Sequence, residues 1–380
     1  MRKLFLLFLL FSTDCFAQEA DLPVLKRGVN LSHWLQHWGR QPVNLAELKT
    51  LKKVGFDHVR LPFDPTRYGW DASTQDLKSF RMEELSDSIN MILEADLAII
   101  LDMHPGENIS TRIETEEMAQ RSFVLLWGTI AAKFSKISTS SLAFELLNEP
   151  QYYKTPSESY RHLMQSVLNE VRKYAPKHMV LIDGIHGGNI EGLHALEGLT
   201  SERLGYVFHY YEPLFFTHLN APWEPFSKNV NGMVSGLAYP AYLTVLSSLQ
   251  ILPKANVFTV TQAVRHYISE SWDAPRIQQE INVAKTWAQK HGSRLVCTEF
   301  GALRIGVREE FWASWLKDVR ISLEKSGIGW TVWDYGDAFG IAQSIDAVTI
   351  EKDGARVPQE HPNTPRVFLK SALSALDLRE

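Results

Sequence analysis

The chain has 380 residues, of which 45% are hydrophobic and 22% are charged, and its formal net charge is −5. A mildly acidic chain with this hydrophobic content is typical of a globular protein, and its charge excludes the strongly basic class that binds nucleic acid. Two cysteines among 380 residues exclude a disulfide-rich scaffold.

The first residues, MRKLFLLFLLFSTDCFAQEA, have the pattern of an export signal. Two cations precede an apolar run from Leu4 to Phe11, which is shorter than the ~20 residues that a membrane helix needs. We predict a signal peptide over residues 1–17, cleaved after Ala17, and an exported protein in the periplasm or outside the cell. Cys297 would then be the remaining cysteine, so neither an intramolecular disulfide nor a thiolate metal cluster would be available. No other stretch is apolar enough to cross a membrane.

Eight apolar, β-branched-rich runs recur along residues 18–380, and segments with helical patterns separate them. Such runs are typical of parallel strands that are covered on both faces. Eight alternations of strand and helix favour a closed (β/α)8 TIM barrel, an α/β fold, over an open doubly wound sheet. Since such a barrel commonly needs about 250 residues, we predict one catalytic domain over residues 18–380. The runs begin at Val24, His58, Ala98, Leu142, Met179, Gly205, Arg294 and Gly329.

The connections contain recognisable helix signals and one irregularity. In NLAELKTLKKVG we predict Asn44 as the N-cap and Gly55 as the stop of a helix. The tail PRVFLKSALSALDL would supply the eighth helix. About sixty residues separate the sixth run from a helix that begins near Ala274, and connections of this length are usually functional or contain small elements. We expect this long connection to form a wall or lid of a cleft.

The fourth run, LAFELLNEP, contains two glutamates at different depths. In a barrel the carboxyl ends of the strands form the active rim, and the opposite end serves stability. Glu145 precedes Glu149 by four residues, or ~13 Å along an extended strand. We therefore predict Glu149 as the reacting carboxyl and Glu145 as a buried structural carboxylate, paired or protonated, because an isolated buried charge is costly. Glu145 remains the alternative acid/base.

Other strand ends carry ionisable or aromatic side chains at the same rim. Each alone has an ordinary explanation, as an ion-pair partner, a hydrogen-bonded core histidine or a packed ring. A packed barrel has no reason to concentrate ionisable groups at one rim, so together they indicate a site. These residues are Arg60, His104, His209, Tyr211, Glu299 and Trp333.

Glutamates on the fourth and seventh strands would face each other across the barrel mouth. Glycosidic cleavage needs such a pair, one carboxyl to protonate the leaving oxygen and one carboxylate to attack or to activate water. A separation of ~5 to 5.5 Å would mean retention and a wider one inversion. HExxH, GxSxG and glycine-rich phosphate loops are absent from the sequence, and we expect neither a metal nor a cofactor.

The chain resembles glycoside hydrolase family 5, the cellulase-type retaining β-glycosidases. The matching segments occur in order along nearly all of the predicted mature chain, and the resemblance implies a TIM barrel with a double-displacement mechanism. The segments are RGVNL at Arg27, VRLP at Val59, LDMH at Leu101, FELLNEP at Phe144, HYYEP at His209, TEFG at Thr298, and Trp333.

The resemblance also implies roles for the catalytic residues. Glu149 would be the general acid/base and Glu299 the nucleophile, with one carboxyl protonated and the other ionised. Asn148 would bind the substrate 2-hydroxyl. Arg60 and Tyr211 would hydrogen-bond the nucleophile and orient it.

Further residues would line the cleft by the same resemblance. His104 and His209 would border the glycone subsite and support the acid/base, and Trp333 would offer the sugar a flat apolar face. The stretch YEPLFFTHLNAPW resembles a segment after the sixth strand in many cellulase-like members, which makes His218 and Trp223 cleft-wall candidates.

The first strand is followed by NLSHWLQHW, which departs from the glycine-containing version expected of the family. His33, Trp34 and Trp38 lie in this stretch, and Trp34 is a further substrate-binding candidate. Packing inside the protein is the equal alternative for Trp34 and Trp38.

The sequence thus predicts an exported, monomeric retaining glycosidase that acts on a β-1,4-linked glucan. A β-mannanase or an exo-β-1,3-glucanase would use the same catalytic set. A non-catalytic carbohydrate-binding barrel is a further alternative, although both glutamates are present. The expected partner is a polysaccharide or oligosaccharide substrate, with neither nucleic acid nor membrane involved.

Overall fold

A computed structural model describes most of the chain after residue 20. The predicted signal peptide and Trp38 lie outside the described residues. The described ranges are 21–36, 42–219, 221, 223, 234–246, 250–251, 257–352, 355–359 and 364–380.

Eight parallel strands form a closed barrel in which neighbours along the chain are neighbours in the sheet and the last strand pairs with the first. All eight predicted strands are present, and the predicted (β/α)8 fold is confirmed. The strands are β1 (Arg27–Asn30), β2 (His58–Phe63), β3 (Ala98–Met103), β4 (Leu142–Glu145), β5 (Met179–Asp183), β6 (Leu204–Tyr210), β7 (Arg294–Phe300) and β8 (Gly329–Val332).

Helices pack around the barrel between these strands. They are α1 (Leu45–Val54), α2 (Glu83–Glu94), α3 (Glu107–Thr115), α4 (Glu117–Phe134), α5 (Ser157–Tyr174), α6 (Leu214–Thr217), α7 (Val257–Ser269), α8 (Ala274–His291), α9 (Glu309–Lys325) and α10 (Lys370–Ala375). Among the described residues, no helix is long and apolar enough to cross a membrane.

The first helix begins and ends where its sequence predicts. The Asn44 side chain accepts from the backbone N–H of Glu47, and the Glu47 side chain accepts from that of Asn44, which completes a capping box. Gly55 ends α1 with φ 121°, a backbone conformation that glycine adopts easily.

Two connections differ from a regular alternation. After β5 the chain forms only a short turn (Ile185–Gly188) and a 3-10 helix (Glu191–Leu196). The segment is rich in glycine, which disfavours helix by about 1 kcal/mol per residue relative to alanine. A Cβ on Gly192 would lie 1.9 Å from the carbonyl oxygen of Ile185, so this turn requires glycine. The eighth helix is shorter than predicted, because Arg366–Phe368 pairs as a strand with Ala342–Ser344.

The long connection after β6 contains elements of its own, as predicted. Besides α6 and α7 it holds a two-stranded ribbon (Val234–Ser235 with Gln250–Ile251) and a 3-10 turn (Ala241–Leu243). Its buried Tyr239 donates to Asp318 on α9, which ties the connection to the helical layer. Other parts of the connection lie outside the described residues.

The barrel interior changes from apolar to charged along the strands. Side chains two positions apart share a face of a strand, so the inward positions can be followed towards the carboxyl end. The apolar layer contains Ile100, Ala143 and Leu181, and two residues further along the same strands lie Asp102, Glu145 and Asp183, all of them buried. The barrel therefore carries a layer of carboxyls directly below its active rim.

Candidate active site

Arg60, at the centre of β2, connects the charged layer to the rim. Its side chain is fully buried. Such a burial is tolerable only where carboxylates and hydrogen-bond acceptors surround the guanidinium. The guanidinium contacts Glu145 (3.0 and 2.7 Å), Asn30 (3.0 Å), Asn148 (2.8 Å), Asp102 (2.9 Å) and Glu299 (2.5 Å).

Glu145 and Glu149 occupy different environments. Glu145 is fully buried at the end of β4, and both its oxygens accept from Arg60, in agreement with a paired structural carboxylate. The expected separation by an extended strand is wrong, because β4 ends at Glu145 and Glu149 adopts φ 46°, in the left-handed region. The two glutamates therefore do not lie on one extended strand.

Glu299 lies at the end of β7 and is held by donors from two other strands. Arg60 donates to its Oε1, and the Tyr211 hydroxyl donates to its Oε2 at 2.7 Å. The carboxylate is 5% exposed at its side chain. Both predicted contacts to this carboxylate are present, and they fix its orientation.

Glu149 follows β4 and reaches into the mouth from the opposite side. Its backbone N–H donates to Asp183, and its Oε1 lies 2.9 Å from Nδ1 of His209. Carboxylate oxygens of Glu149 and Glu299 and a ring nitrogen of His209 all lie within 4.8 Å of one another. The side chain of Glu149 is 36% exposed, so a substrate can reach it.

Burial determines the protonation states around Glu149. Desolvation raises the pKa of Glu149 above its ordinary value, and His104 and Arg60 oppose that shift only in part. Burial also lowers the pKa of His209 and of His104 to about 4, so both imidazoles are neutral at neutral pH. A carboxyl with a raised pKa beside a neutral histidine is suited to general acid catalysis.

His104, Asn148 and Trp333 form the third side of the mouth. The rings of His104 and Trp333 stack with centroids 5.8 Å apart, and the Asn148 amide nitrogen lies 3.2 Å from Nε2 of His104. His104 is oriented by Asp102, 2.9 Å from its Nδ1. These predicted residues thus lie together beside Glu149 and Glu299, with Trp333 partly exposed.

The wall candidates divide into exposed and buried side chains. Trp223 is 58% exposed, whereas His218 is 7% exposed and packs against the rings of Tyr211 and Trp223. His218 therefore supports the wall from behind. Trp34 is 6% exposed and belongs to the hydrophobic core, so the packing alternative describes it better than substrate binding.

Three important site residues were not identified from the sequence. Asn30 accepts from Arg60 and donates to the backbone of β7 and β8. Asp102 orients His104, and Asp183 holds the backbone of Glu149. A carboxylate or amide at an inward position of an otherwise apolar strand was the available signal, since such a group needs a buried partner.

A second group with metal-ligand chemistry lies near the mouth. Ligand atoms of His33, Asp334 and Asp337 lie within 4.8 Å of one another. His33 pairs with Asp337 at 2.9 Å, and the Ser32 hydroxyl hydrogen-bonds Asp334. Among the described residues, the other oxygen of Asp334, Oδ1, is buried without a hydrogen-bond partner.

The fold and the site together define a class. Two carboxyls face each other at the carboxyl-end mouth of a TIM barrel, one held by two donors and the other with a raised pKa. That is the arrangement with which enzymes cleave glycosidic bonds. The protein is an O-glycosyl hydrolase.

A family model described as cellulase (glycosyl hydrolase family 5) matches residues 19–339. The chain belongs to this family, as the sequence segments predicted.

Two curated relatives are similar over most of the chain. Endoglucanase C of Acetivibrio thermocellus is 26% identical over 353 residues, which cover 89% of this chain and 97% of that protein. Endoglucanase 3 of Fibrobacter succinogenes is 24% identical over 347 residues, which cover 86% of this chain and 52% of that protein. The chain thus spans about half the length of Endoglucanase 3.

Solved structures share the fold. Cel5A of Thermotoga maritima in complex with cellobiose superposes with a TM-score of 0.70 at 22% identity, over 95% of this chain and 99% of that one. A structure of the same protein in complex with mannotriose has a TM-score of 0.70, over 94% and 99% of the two chains.

Proposed function

We propose that this protein is a retaining β-glycosidase that hydrolyses β-1,4-linked glucan, with Glu149 as general acid/base and Glu299 as nucleophile. The observation that carries the proposal is that one carboxylate oxygen of Glu149 and one of Glu299 lie within 4.8 Å of each other. Retaining enzymes hold their carboxyl groups at about 5 to 5.5 Å, whereas inverting enzymes need room for a water between them.

The contacts of each carboxyl support its assigned role. Arg60 and Tyr211 donate to the two oxygens of Glu299, which orients this carboxylate for attack on the anomeric carbon. Glu149 has a raised pKa and an exposed oxygen, as a proton donor to the leaving oxygen requires. Asn148 lies between Arg60 and His104, within reach of the 2-hydroxyl of a sugar attached to Glu299.

The substrate assignment rests on the relatives named endoglucanases. The main alternative, a β-mannanase, is favoured by one specific finding, the mannotriose bound to the similar Cel5A barrel. An exo-β-1,3-glucanase uses the same catalytic set and is distinguished by its products. The N-terminal pattern of residues 1–17 supports export, and we propose residues 18–380 as a single monomeric catalytic domain.

The decisive experiment is product analysis with matched variants. Purified protein is incubated with β-1,4-glucan, mixed-linkage β-glucan, glucomannan, mannan and β-1,3-glucan, and Glu299→Ala serves as the control. Oligosaccharides from the β-1,4-linked glucans, absent in the control, support the proposal. Release of mannose oligomers alone, or of monosaccharide from β-1,3-glucan alone, would replace it with the corresponding alternative.

The roles of the two glutamates are separated by azide rescue. In Glu299→Ala, azide takes the place of the nucleophile and should give an α-glycosyl azide. In Glu149→Ala, azide attacks the glycosyl-enzyme and should give a β-glycosyl azide. NMR of the product distinguishes the two, and the opposite pattern would exchange the assignments.

A further inference from the structure

Tyr153 is an exposed aromatic residue on the connection that follows β4. Its side chain is 68% exposed. One ring face stacks on His186, with centroids 4.7 Å apart and an interplanar angle of 2°. His186 in turn contacts His194 with its ring, so the open side of the stack is the outer face of Tyr153.

The connection that carries Tyr153 is anchored on both sides of this residue. Tyr152 is buried and packs on Tyr160, with ring centroids 4.7 Å apart. The backbone N–H groups of Lys154 and Thr155 donate to the buried carboxylate of Glu114 at 2.7 and 3.1 Å. The exposed ring therefore projects from a rigid segment, and its exposure is not the result of a loose loop.

The stack is also bound to the acid/base side of the mouth. The backbone N–H groups of His186 and Gly187 donate to the carbonyls of Gln151 and Pro150, the residues that directly follow Glu149. A Cβ on Gly188 would lie 3.3 Å from the ring of His209, which is the hydrogen-bond partner of Glu149.

His186 has an unusual backbone for a residue that only packs. Its φ of 61° lies in the left-handed region, which non-glycine residues seldom adopt. The backbone bonds of His186 and Gly187 to Gln151 and Pro150 hold the turn in this conformation. In this protein the strained backbone turns the imidazole parallel to Tyr153.

The order of the strands places the stacked rings of Tyr153 and His186 across the mouth from Trp333. In a closed sheet of eight consecutive strands, β4 and β5 lie across the mouth from β8 and β1. Trp333 follows β8, whereas Tyr153 and His186 follow β4 and β5. In the proposed function, a sugar with its anomeric carbon at Glu299 and one face on Trp333 has its leaving oxygen at Glu149. The departing sugar then lies on the side of the mouth where the connections after β4 and β5 carry Tyr153 and His186.

We propose that Tyr153, held by His186, is the stacking platform of the first leaving-group subsite and binds the apolar face of the departing pyranose. This assignment rests on the proposed function. An exposed flat ring on a rigid segment binds a sugar face without ordering cost, and burial of both apolar faces favours the complex. Tyr153 is thus a specificity residue for the departing sugar, and His186 is a positioning residue.

The test compares substrates with and without a departing sugar. Cellotetraose places sugars on both sides of the cleaved bond, whereas β-cellobiosyl fluoride releases only fluoride. For Tyr153→Ala we expect the ratio of kcat/KM for cellotetraose to kcat/KM for the fluoride to fall about tenfold. Tyr153→Phe retains the ring and should keep the wild-type ratio. His186→Asn removes the stacked ring but tolerates the left-handed backbone, and it should lower the ratio by a smaller factor.

Tyr174→Ala is the matched control. Tyr174 is 47% exposed at the end of α5, which returns to the opposite end of the barrel, and its loss should leave the ratio unchanged. If kcat/KM of Tyr153→Ala falls equally on both substrates, the residue has a merely structural role. If kcat/KM keeps its wild-type value on both substrates, Tyr153 is not part of the site. Either result overturns this proposal alone. A wild-type protein that cleaves neither substrate overturns the proposed function, and this assignment with it.

Discussion

Arg60 is a fully buried cation in contact with the carboxylates of Asp102, Glu145 and Glu299. Its planar fork donates in several fixed directions, which a lysine ammonium on a flexible stem cannot reproduce. We expect Arg60→Lys to lower kcat/KM about a hundredfold, because Glu299 loses an oriented donor. Steady-state kinetics on a soluble β-glucan measures the loss.

The matched control for Arg60→Lys is Arg121→Lys. Arg121 is 61% exposed and pairs with Glu117 on the surface of α4, where ion pairs contribute little. This variant should keep wild-type kinetics. If Arg60→Lys also kept them, the guanidinium contacts would have no part in catalysis.

The raised pKa of Glu149 predicts the pH dependence of the reaction. A general acid acts in its protonated form, so kcat/KM should fall as pH rises through the pKa of Glu149, which lies above the ordinary glutamate value. In Glu149→Ala this alkaline limb should disappear, and residual activity should be highest on an aryl cellobioside with an activated leaving group. An alkaline limb that persists in Glu149→Ala would assign the acid to another residue.

Residues at the strand ends were predictable because a rim position and an ionisable side chain together indicate chemistry. Arg60, Glu149, Tyr211 and Glu299 were predicted in this way, and the structure brings them together at the mouth. Asp102 and Asp183 were missed because a single carboxylate inside an apolar strand indicates that a buried partner exists but does not identify that partner. Only the closed barrel brings such residues from separate strands into contact.

At the scale of elements, α1 offers a direct test of local sequence signals. Asn44 and Glu47 form the capping box that the sequence predicts. Asn44→Ala should lower the free energy of unfolding by about 1 kcal/mol, because the first turn loses an acceptor for its backbone N–H. Chemical denaturation measures the change. Lys53→Ala, at an exposed position of the same helix, should change it by less than about 0.5 kcal/mol.

The wall after β6 should make the protein sensitive to acid. Burial lowers the pKa of His218 to about 4, whereas an unfolded histidine titrates near ~6.5. Between these values the unfolded state binds the additional proton, so the contribution of His218 to stability is lost as pH falls from about 6.5 to 4.

His218→Asn removes this titration. As pH falls from about 6.5 to 4, the free energy of unfolding of the variant should decrease by about 1 to 3 kcal/mol less than that of the wild type. Urea unfolding at several pH values tests it, and parallel stability curves for the two proteins would contradict the role of His218.

The ends of strands and helices show where predictions from local sequence patterns fail. The run LAFELLNEP predicts a strand that reaches Glu149, yet β4 ends at Glu145, because the following residues leave the strand to present Glu149 and Asn148 to the mouth. The missing helix after β5 follows from glycine content, but the stack of Tyr153 on His186 depends on two connections meeting, which spacing along the chain does not reveal.

For the whole molecule, the order of eight strands was predictable because each buried parallel strand leaves a recognisable apolar run. The contacts between one connection and another were not predictable, since they depend on how the barrel closes. The chemistry assigned to the mouth uses protons and carboxyls alone. We therefore expect dialysis against EDTA to leave kcat/KM unchanged, and a loss that Ca²⁺ or another divalent ion restores would indicate a metal requirement.

The short distance between Glu149 and Glu299 has an energetic consequence during turnover. In the proposed mechanism Glu299 becomes an ester of the sugar, so the site would lose one negative charge while Arg60 remains as the nearby cation. The loss of a negative charge from a neighbour within 4.8 Å would lower the proton affinity of Glu149. The side chain that donates a proton in the first step of the proposed mechanism would thereby become the acceptor for the proton of the incoming water in the second step.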